Sequence, residues 1–210
     1  MSITHHPDDS TLLSYAAGAL PAALAVVAAA HLAVCRRCRR EVADMELLGG
    51  ALLGALPGAT LQRPRPEVPK TASDRPEATA SPVGPAEVPE PLARLVGGSL
   101  DGLRWRWVSP GSWLRQVPIA GVGQMHLFKC SPNILLPEHG HKGSELTMVL
   151  RGTLSDHTGL YRAGDVCDLD DSVVHTPTAG PDGCICVVAQ DRPVRFSSLI
   201  VRLARPWHGM

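Results

Sequence analysis

Nine of the 19 prolines in this 210-residue chain fall between Pro57 and Pro91, and no other feature restricts its fold as strongly. Proline fixes φ and removes an amide donor, so that stretch sustains neither a helix nor a sheet ladder. It also holds few large apolar residues and nearly balanced charge, the composition of an extended linker. The chain is thereby divided into residues 1–56, a linker at 57–91, and residues 92–210. Each flank is expected to fold and act largely alone.

The first flank reads as helical. Asp8, Asp9 and Ser10 offer an N-cap ahead of Thr11 to Ala17, and Gly18 is placed to end that helix. Pro21 fits the first turn of a second helix that runs through an Ala/Val stretch to His31. A third helix from about Arg36 carries Val42, Met45, Leu48 and Leu52 on one apolar stripe. So small a unit buries a marginal core. The segment His31-Leu-Ala-Val-Cys35-Arg-Arg-Cys38 supplies a remedy: on a helix His31 and Cys35 share a face, and the Cys-x-x-Cys spacing closes a tight turn around one metal ion. His5 and His6 both offer a fourth ligand. A zinc ion ligated entirely by protein is structural, and it contributes on the order of 10 kcal/mol of apparent folding free energy.

The second flank reads as all-β. Short runs such as Trp105–Val108, Leu146–Leu150 and Cys184–Val188 are rich in β-branched, aromatic or cysteine residues, and Gly, Pro and Asp punctuate them, as in a sandwich or small barrel. His139, His141 and Glu145 share one parity, so on extended chain they project to one face, and His175 can reach the same point from a neighbouring strand. Three imidazoles and a carboxylate suit zinc, manganese or non-haem iron. His126, His157 and His208 have no partner at ligand spacing and are expected at the surface or in local hydrogen bonds. Cys130 and Cys167 read as small buried hydrophobes. Cys184 and Cys186 share a strand face, either as packing residues or as a redox-responsive thiol pair. The four tryptophans, Trp105, Trp107, Trp113 and Trp207, read as packing residues of this flank.

Composition excludes some functions. Twenty basic and 20 acidic residues cancel, which argues against a nucleic-acid binder held by bulk charge. The one basic cluster, Arg36, Arg37, Arg39 and Arg40, reads as a solvated helix face. The N-terminus lacks a cationic segment followed by an apolar one, and the apolar run from Leu20 to Val34 is interrupted by His31 and falls short of the ~20 residues of a membrane span. A cytoplasmic protein without membrane contact is expected, with its cysteines serving as ligands, core residues or redox groups before disulfides.

The spacing His139-x-His141-x3-Glu145-x6-Gly152, followed by Gly164 and His175-Thr-Pro177, resembles the two-part signature of the cupin superfamily, whose double-stranded β-helix (jelly-roll) domains hold a metal in the barrel. The His31/Cys35/Cys38 cluster with an upstream histidine resembles the zinc-binding anti-sigma family. Together, with Thr4-His5-His6, Tyr15-Ala16-Ala17-Gly18 and Cys184-Ile-Cys186, the two halves resemble the ChrR-type anti-sigma factors, a zinc anti-sigma domain followed by a cupin domain. The resemblance implies an α+β chain with a small helical zinc-binding bundle and a cupin domain. It implies one zinc on His6, His31, Cys35 and Cys38, and a second metal on His139, His141, Glu145 and His175. It further implies a non-enzymatic regulator that sequesters an extracytoplasmic-function sigma factor and releases it on an oxidative signal, singlet oxygen or organic peroxide, sensed through the cupin. The alternative is a cupin metalloenzyme of dioxygenase or isomerase type with an accessory zinc bundle. Members of the anti-sigma family carry a fourth helix where this chain has its proline-rich segment. Either a short piece near Gly50 to Leu61 substitutes for it, or the sigma contact is smaller, or the partner differs.

Overall fold

A computed structural model describes residues 3–59 and 87–196. Most of the expected linker, with Trp207 and His208, lies outside these residues. Among the described residues, helices α1 (Asp9–Ala16), α2 (Ala22–Val34), α3 (Arg36–Ala55) and α4 (Leu92–Val96) precede strands β1 (Arg106–Ser109), β2 (Ser112–Val117), β3 (Gln124–Cys130), β4 (His139–Gly140), β5 (Glu145–Asp156), β6 (Gly159–Arg162), β7 (Val166–Leu169), β8 (Val174–His175), β9 (Thr178–Gln190) and β10 (Arg195–Phe196). The architecture is α+β: helices first, then antiparallel sheet. No helix among the described residues is long and apolar enough to cross a membrane.

Local chemistry sets the helix ends. Asp8 stands at the N-cap of α1, and Gly18 follows its last turn at φ 68°, a left-handed conformation that glycine adopts without strain. Pro21 precedes α2 at its N-cap, one position ahead of the first turn. Cys35 alone separates α2 from α3, with extended φ −102° and ψ 107°.

The main sheet runs β1-β2-β3-β9-β5-β6, with β7 also paired to β5; a smaller sheet runs β10-β4-β8. Register assigns the two faces. Glu145 lies opposite Gln190, Thr147 opposite Val188 and Val149 opposite Cys186, while His126 lies opposite Val188 and Cys130 opposite Cys184. These residues face the barrel interior, where a cavity of about 200 Å³ opens. Alternating with them, Met125, Leu127, Leu146, Met148, Ile185, Val187 and Ala189 face the other way, into a cluster shared with Ala23, Leu24, Val27, Ala28 and Ala30 of α2. Strands buried on both faces lose the alternation of a half-exposed sheet, so Leu146–Leu150 and Cys184–Val188 read as continuous apolar runs. On β5 the motif glycine Gly152 has φ 77°, and a Cβ there would collide with the Gly183 carbonyl of β9.

Helix α2 therefore does not belong to the small bundle alone. Its other side joins a second cluster with Leu12, Leu32, Cys35, Cys38 and Val42. The two flanks thus share a buried core instead of holding separate ones. Proline content limits the connecting segment, but it places no limit on how the connected pieces pack, and a helix apolar all round must be covered on all sides. The alanines allow close approach: the Ala23 amide donates to Val122 O at 3.3 Å, and a Cβ on Gly123 would stand 2.8 Å from Ala23 Cβ.

Three expectations change. The stripe on α3 is buried only at its start. Val42 is inside and Met45 half-buried, whereas Leu48 and Leu52 are 60% and 63% exposed, because α3 runs past the end of α1 and α2 with nothing beside it among the described residues. Trp107 is exposed, while Trp105 and Trp113 are half-buried beside Lys129. His126 is buried, since its parity turns it into the barrel.

Candidate metal centres

Two groups of donors converge. The first joins His6, on the strap before α1, to His31 in the last turn of α2, Cys35 in the one-residue link and Cys38 in the first turn of α3. His6 Nδ1 lies 3.4 Å from His31 Nε2, 3.3 Å from Cys38 Sγ and 3.5 Å from Cys35 Sγ, and His31 Nε2 lies 3.3 Å from Cys38 Sγ. Bonds of 2.0–2.3 Å from a tetrahedral ion imply ligand–ligand edges of roughly 3.3–3.8 Å, and these four separations fall in that range. His5 points elsewhere: its ring packs on Tyr161 at 4.6 Å between centroids, and its Nδ1 meets the Thr4 hydroxyl at 3.1 Å.

Electrostatics agrees with the geometry. Burial drives His31 down to about 4, which keeps its imidazole in the neutral, ligating form. Burial, reinforced by the neighbouring Cys35, pushes the Cys38 thiol up to about 12. Two buried thiolates side by side require a compensating cation. His31 Nδ1–H donates to Gly164 O at 2.9 Å, which leaves Nε2 turned toward Cys38 and His6.

The second group joins His139 of β4, His141 just after it, Glu145 at the start of β5 and His175 of β8. Strand pairing sets His139 directly opposite His175. Their Nε2 atoms are 3.0 Å apart, and His141 Nε2 is 3.4 Å from His175 Nε2. Outer partners fix the rings: His139 Nδ1–H donates to Pro137 O at 2.9 Å, and His175 Nδ1–H donates to Asp156 Oδ2 at 2.6 Å. The Thr147 hydroxyl holds Glu145 Oε1 at 3.1 Å. Burial lowers His139 and His141 to about 4 and raises Glu145 to about 7. A carboxylate so deeply buried is stabilised by a cation beside it, and a set of three nitrogens and one oxygen accepts zinc, manganese or iron.

Sequence reasoning missed three residues of this region. Asp156 orients His175, and its signal was the tight turn Asp156-His-Thr-Gly159, whose amides hold the carboxylate. His126 and Gln190 line the cavity beside the donors, and their strand parity was the available signal. Cys130, Cys184 and Cys186 gather on the same interior face. Burial pushes Cys130 up to about 12; contact with Cys184, then burial, raises Cys186 well above the usual thiol range. Both shifts favour the protonated thiol over the thiolate. All six cysteines are free.

Comparison with known proteins bears on both halves. Residues 97–194 match the family model of the ChrR cupin-like domain. Over 99% of its length the chain is 36% identical to the anti-sigma-E factor ChrR of Cereibacter sphaeroides, again covering 99% of that protein. It superposes with a TM-score of 0.74 and 33% identity on a chain from the crystal structure of Rhodobacter sphaeroides SigE in complex with the anti-sigma ChrR, covering 90% of this chain and all of that one. A likeness that runs through the helical half, the shared core and the barrel alike establishes that the chain belongs to the ChrR family of anti-sigma factors.

Proposed function

We propose that this protein sequesters an extracytoplasmic-function sigma factor through its helical half and releases it when an oxidative signal, singlet oxygen or an organic peroxide, acts on the cupin half. The similar ChrR chain was crystallised with SigE. The observation that carries the reading for this chain is the far half of α3, where Leu47, Leu48, Leu52 and Leu53 stand exposed, followed by Leu56. Exposed leucines at this density mark a surface that another protein covers. This segment stands in for the fourth helix of the anti-sigma family. His6, His31, Cys35 and Cys38 hold a structural zinc that fixes α2 against α3. His139, His141, Glu145 and His175 hold a second ion of the zinc, manganese or iron class, bordering the cavity through which a small oxidant reaches the interior. A signal shifts the sigma equilibrium only if it interacts differently with the bound and free states, so the cupin centre or the neighbouring Cys184 and Cys186 must change on exposure. The protein acts in the cytoplasm and turns nothing over.

The test is a double substitution, Leu48→Glu with Leu52→Glu, in the full chain. Both sites are exposed, so the folding free energy should change by no more than about 0.5 kcal/mol, while sigma-factor affinity should fall about 30-fold or more. An unchanged affinity would show that the sigma factor binds elsewhere. In a sigma-dependent reporter, His141→Ala with Glu145→Ala should keep repression and lose the response to singlet oxygen or organic peroxide; a normal response would remove the cupin centre from the sensor.

A further inference from the structure

The two candidate metal centres lie in different halves of the chain, yet one segment, from the end of β5 through β6 into β7, touches both. Its root is Asp156, which accepts from His175 Nδ1–H at 2.6 Å. The other oxygen of Asp156 accepts from the Thr158 amide at 2.7 Å and from the Thr158 hydroxyl at 2.5 Å. With its own hydrogen committed, Thr158 Oγ1 accepts from the Tyr161 hydroxyl at 2.8 Å. The Tyr161 ring packs on His5. Beyond the turn, Gly164 O accepts from His31 Nδ1–H at 2.9 Å. Asp165, wholly buried, accepts from the amides of Thr4 at 2.7 Å and His5 at 3.1 Å, and Asp168 accepts from the Asp8 amide at 2.9 Å. The Val166 amide closes the set by donating to His5 O at 3.2 Å.

His6 therefore reaches the first centre from a strap clamped on both sides, at residues 4–5 and at Asp8, by side chains of the barrel. His31 is aimed by a barrel carbonyl. We propose that the segment Asp156 to Asp168, from the end of β5 through β6 into β7, couples the two centres: an ion on His139, His141, Glu145 and His175 fixes the His175 ring and with it Asp156, and the segment passes that constraint to His6 and His31 by direct contact. The inference rests on the two-metal reading above. It gives the signal a route by direct contact between the halves that does not pass along residues 60–86. Asp156, Thr158 and Tyr161 are positioning residues, acting through His175 at one end and His5 at the other. Because the coupling is an equilibrium property, each ion raises the affinity of the other centre by the same factor.

Cobalt(II) separates the centres in the intact chain, because only the cysteine-containing one gives a thiolate-to-cobalt charge-transfer absorption. Chelator competition followed in that band measures cobalt affinity at the first centre. It is measured in the unaltered chain and in His139→Ala with His141→Ala, which empties the second. The expected affinity is about 3- to 10-fold lower when the second centre is empty, a range below the loss seen when an outer-shell partner is removed outright. Tyr161→Phe, in both backgrounds, should bring this ratio close to one. If Tyr161 were only a stability residue, affinity would fall equally in both backgrounds and the ratio would persist, which overturns the route. Should the double histidine variant fail to fold, Glu145→Gln disables the same centre for the same comparison. Two cobalt ions bound with a ratio within about twofold of one overturns the coupling and leaves the two-metal reading intact. Failure of either centre to take up cobalt overturns both.

Discussion

Leu24→Ala tests the shared core most directly. Leu24 is 1% exposed and lies in α2, in one cluster with Leu127, Leu146, Met148 and Val187 of the sheet. Removing a buried leucine side chain costs about 2–5 kcal/mol, and a site roofed by alanines that cannot move in to fill the gap belongs near the middle, about 3 kcal/mol. With a urea dependence of about 3 kcal/mol per molar, the unfolding midpoint should drop by about 1 M. Two probes report separately. The longer helices precede residue 60, whereas all four tryptophans stand at position 105 or later, so far-ultraviolet circular dichroism follows the helical half and tryptophan fluorescence follows the barrel. At fixed, saturating metal, both signals should shift together, since the cavity lies between the halves. If the helical transition moves while fluorescence keeps its midpoint within about 0.3 M, the halves are independent folding units and α2 is no shared core element.

Cys38→Ser should cost the first centre its ion, and metal analysis of the purified chain should then find one equivalent fewer together with weaker helical circular dichroism; full helicity without that ion would remove the cluster from the folding reaction. Glu145→Gln should likewise lower the metal count at the second centre while leaving the thiolate-to-cobalt band of the first in place. Asp165 gives a pH test. Burial alone would raise its carboxyl, but hydrogen bonds from the amides of Arg162, Thr4 and His5 outweigh that and hold it below the usual range. A depressed carboxyl stabilises the fold above its unfolded value near pH 3.9, and that contribution is lost as pH falls through the folded one. Asp165→Asn should therefore be about 2 kcal/mol less stable than the parent at neutral pH, and the gap should narrow below about pH 4; a gap constant down to about pH 3 would show that the charge is not what holds the strap.

Spacing made much of this protein legible. His31, Cys35 and Cys38 are brought together by helix periodicity and one tight turn, so a donor group built from near neighbours can be read from the chain; Glu145 instead joins His139 and His141 from β5, in the other sheet and beyond a bend at residues 142–143, so parity along one extended strand does not account for that group. The helical-then-β order was readable for the same reason, because each element is set by local pattern. Which of His5 and His6 faces the first centre was not local. It depends on Asp165 and Asp168, about 160 residues away, clamping the strap. For His126 parity grouped it with Cys130 on one face of its strand, but which face was interior was decided only by the strands paired on both sides. The packing of α2 was equally out of reach: an Ala/Val helix states that it will be buried but not against what. Tertiary structure alone decided that the same helix closes the small helical bundle and roofs the barrel, because burial is a property of surfaces that meet in space, whereas periodicity is a property of the chain.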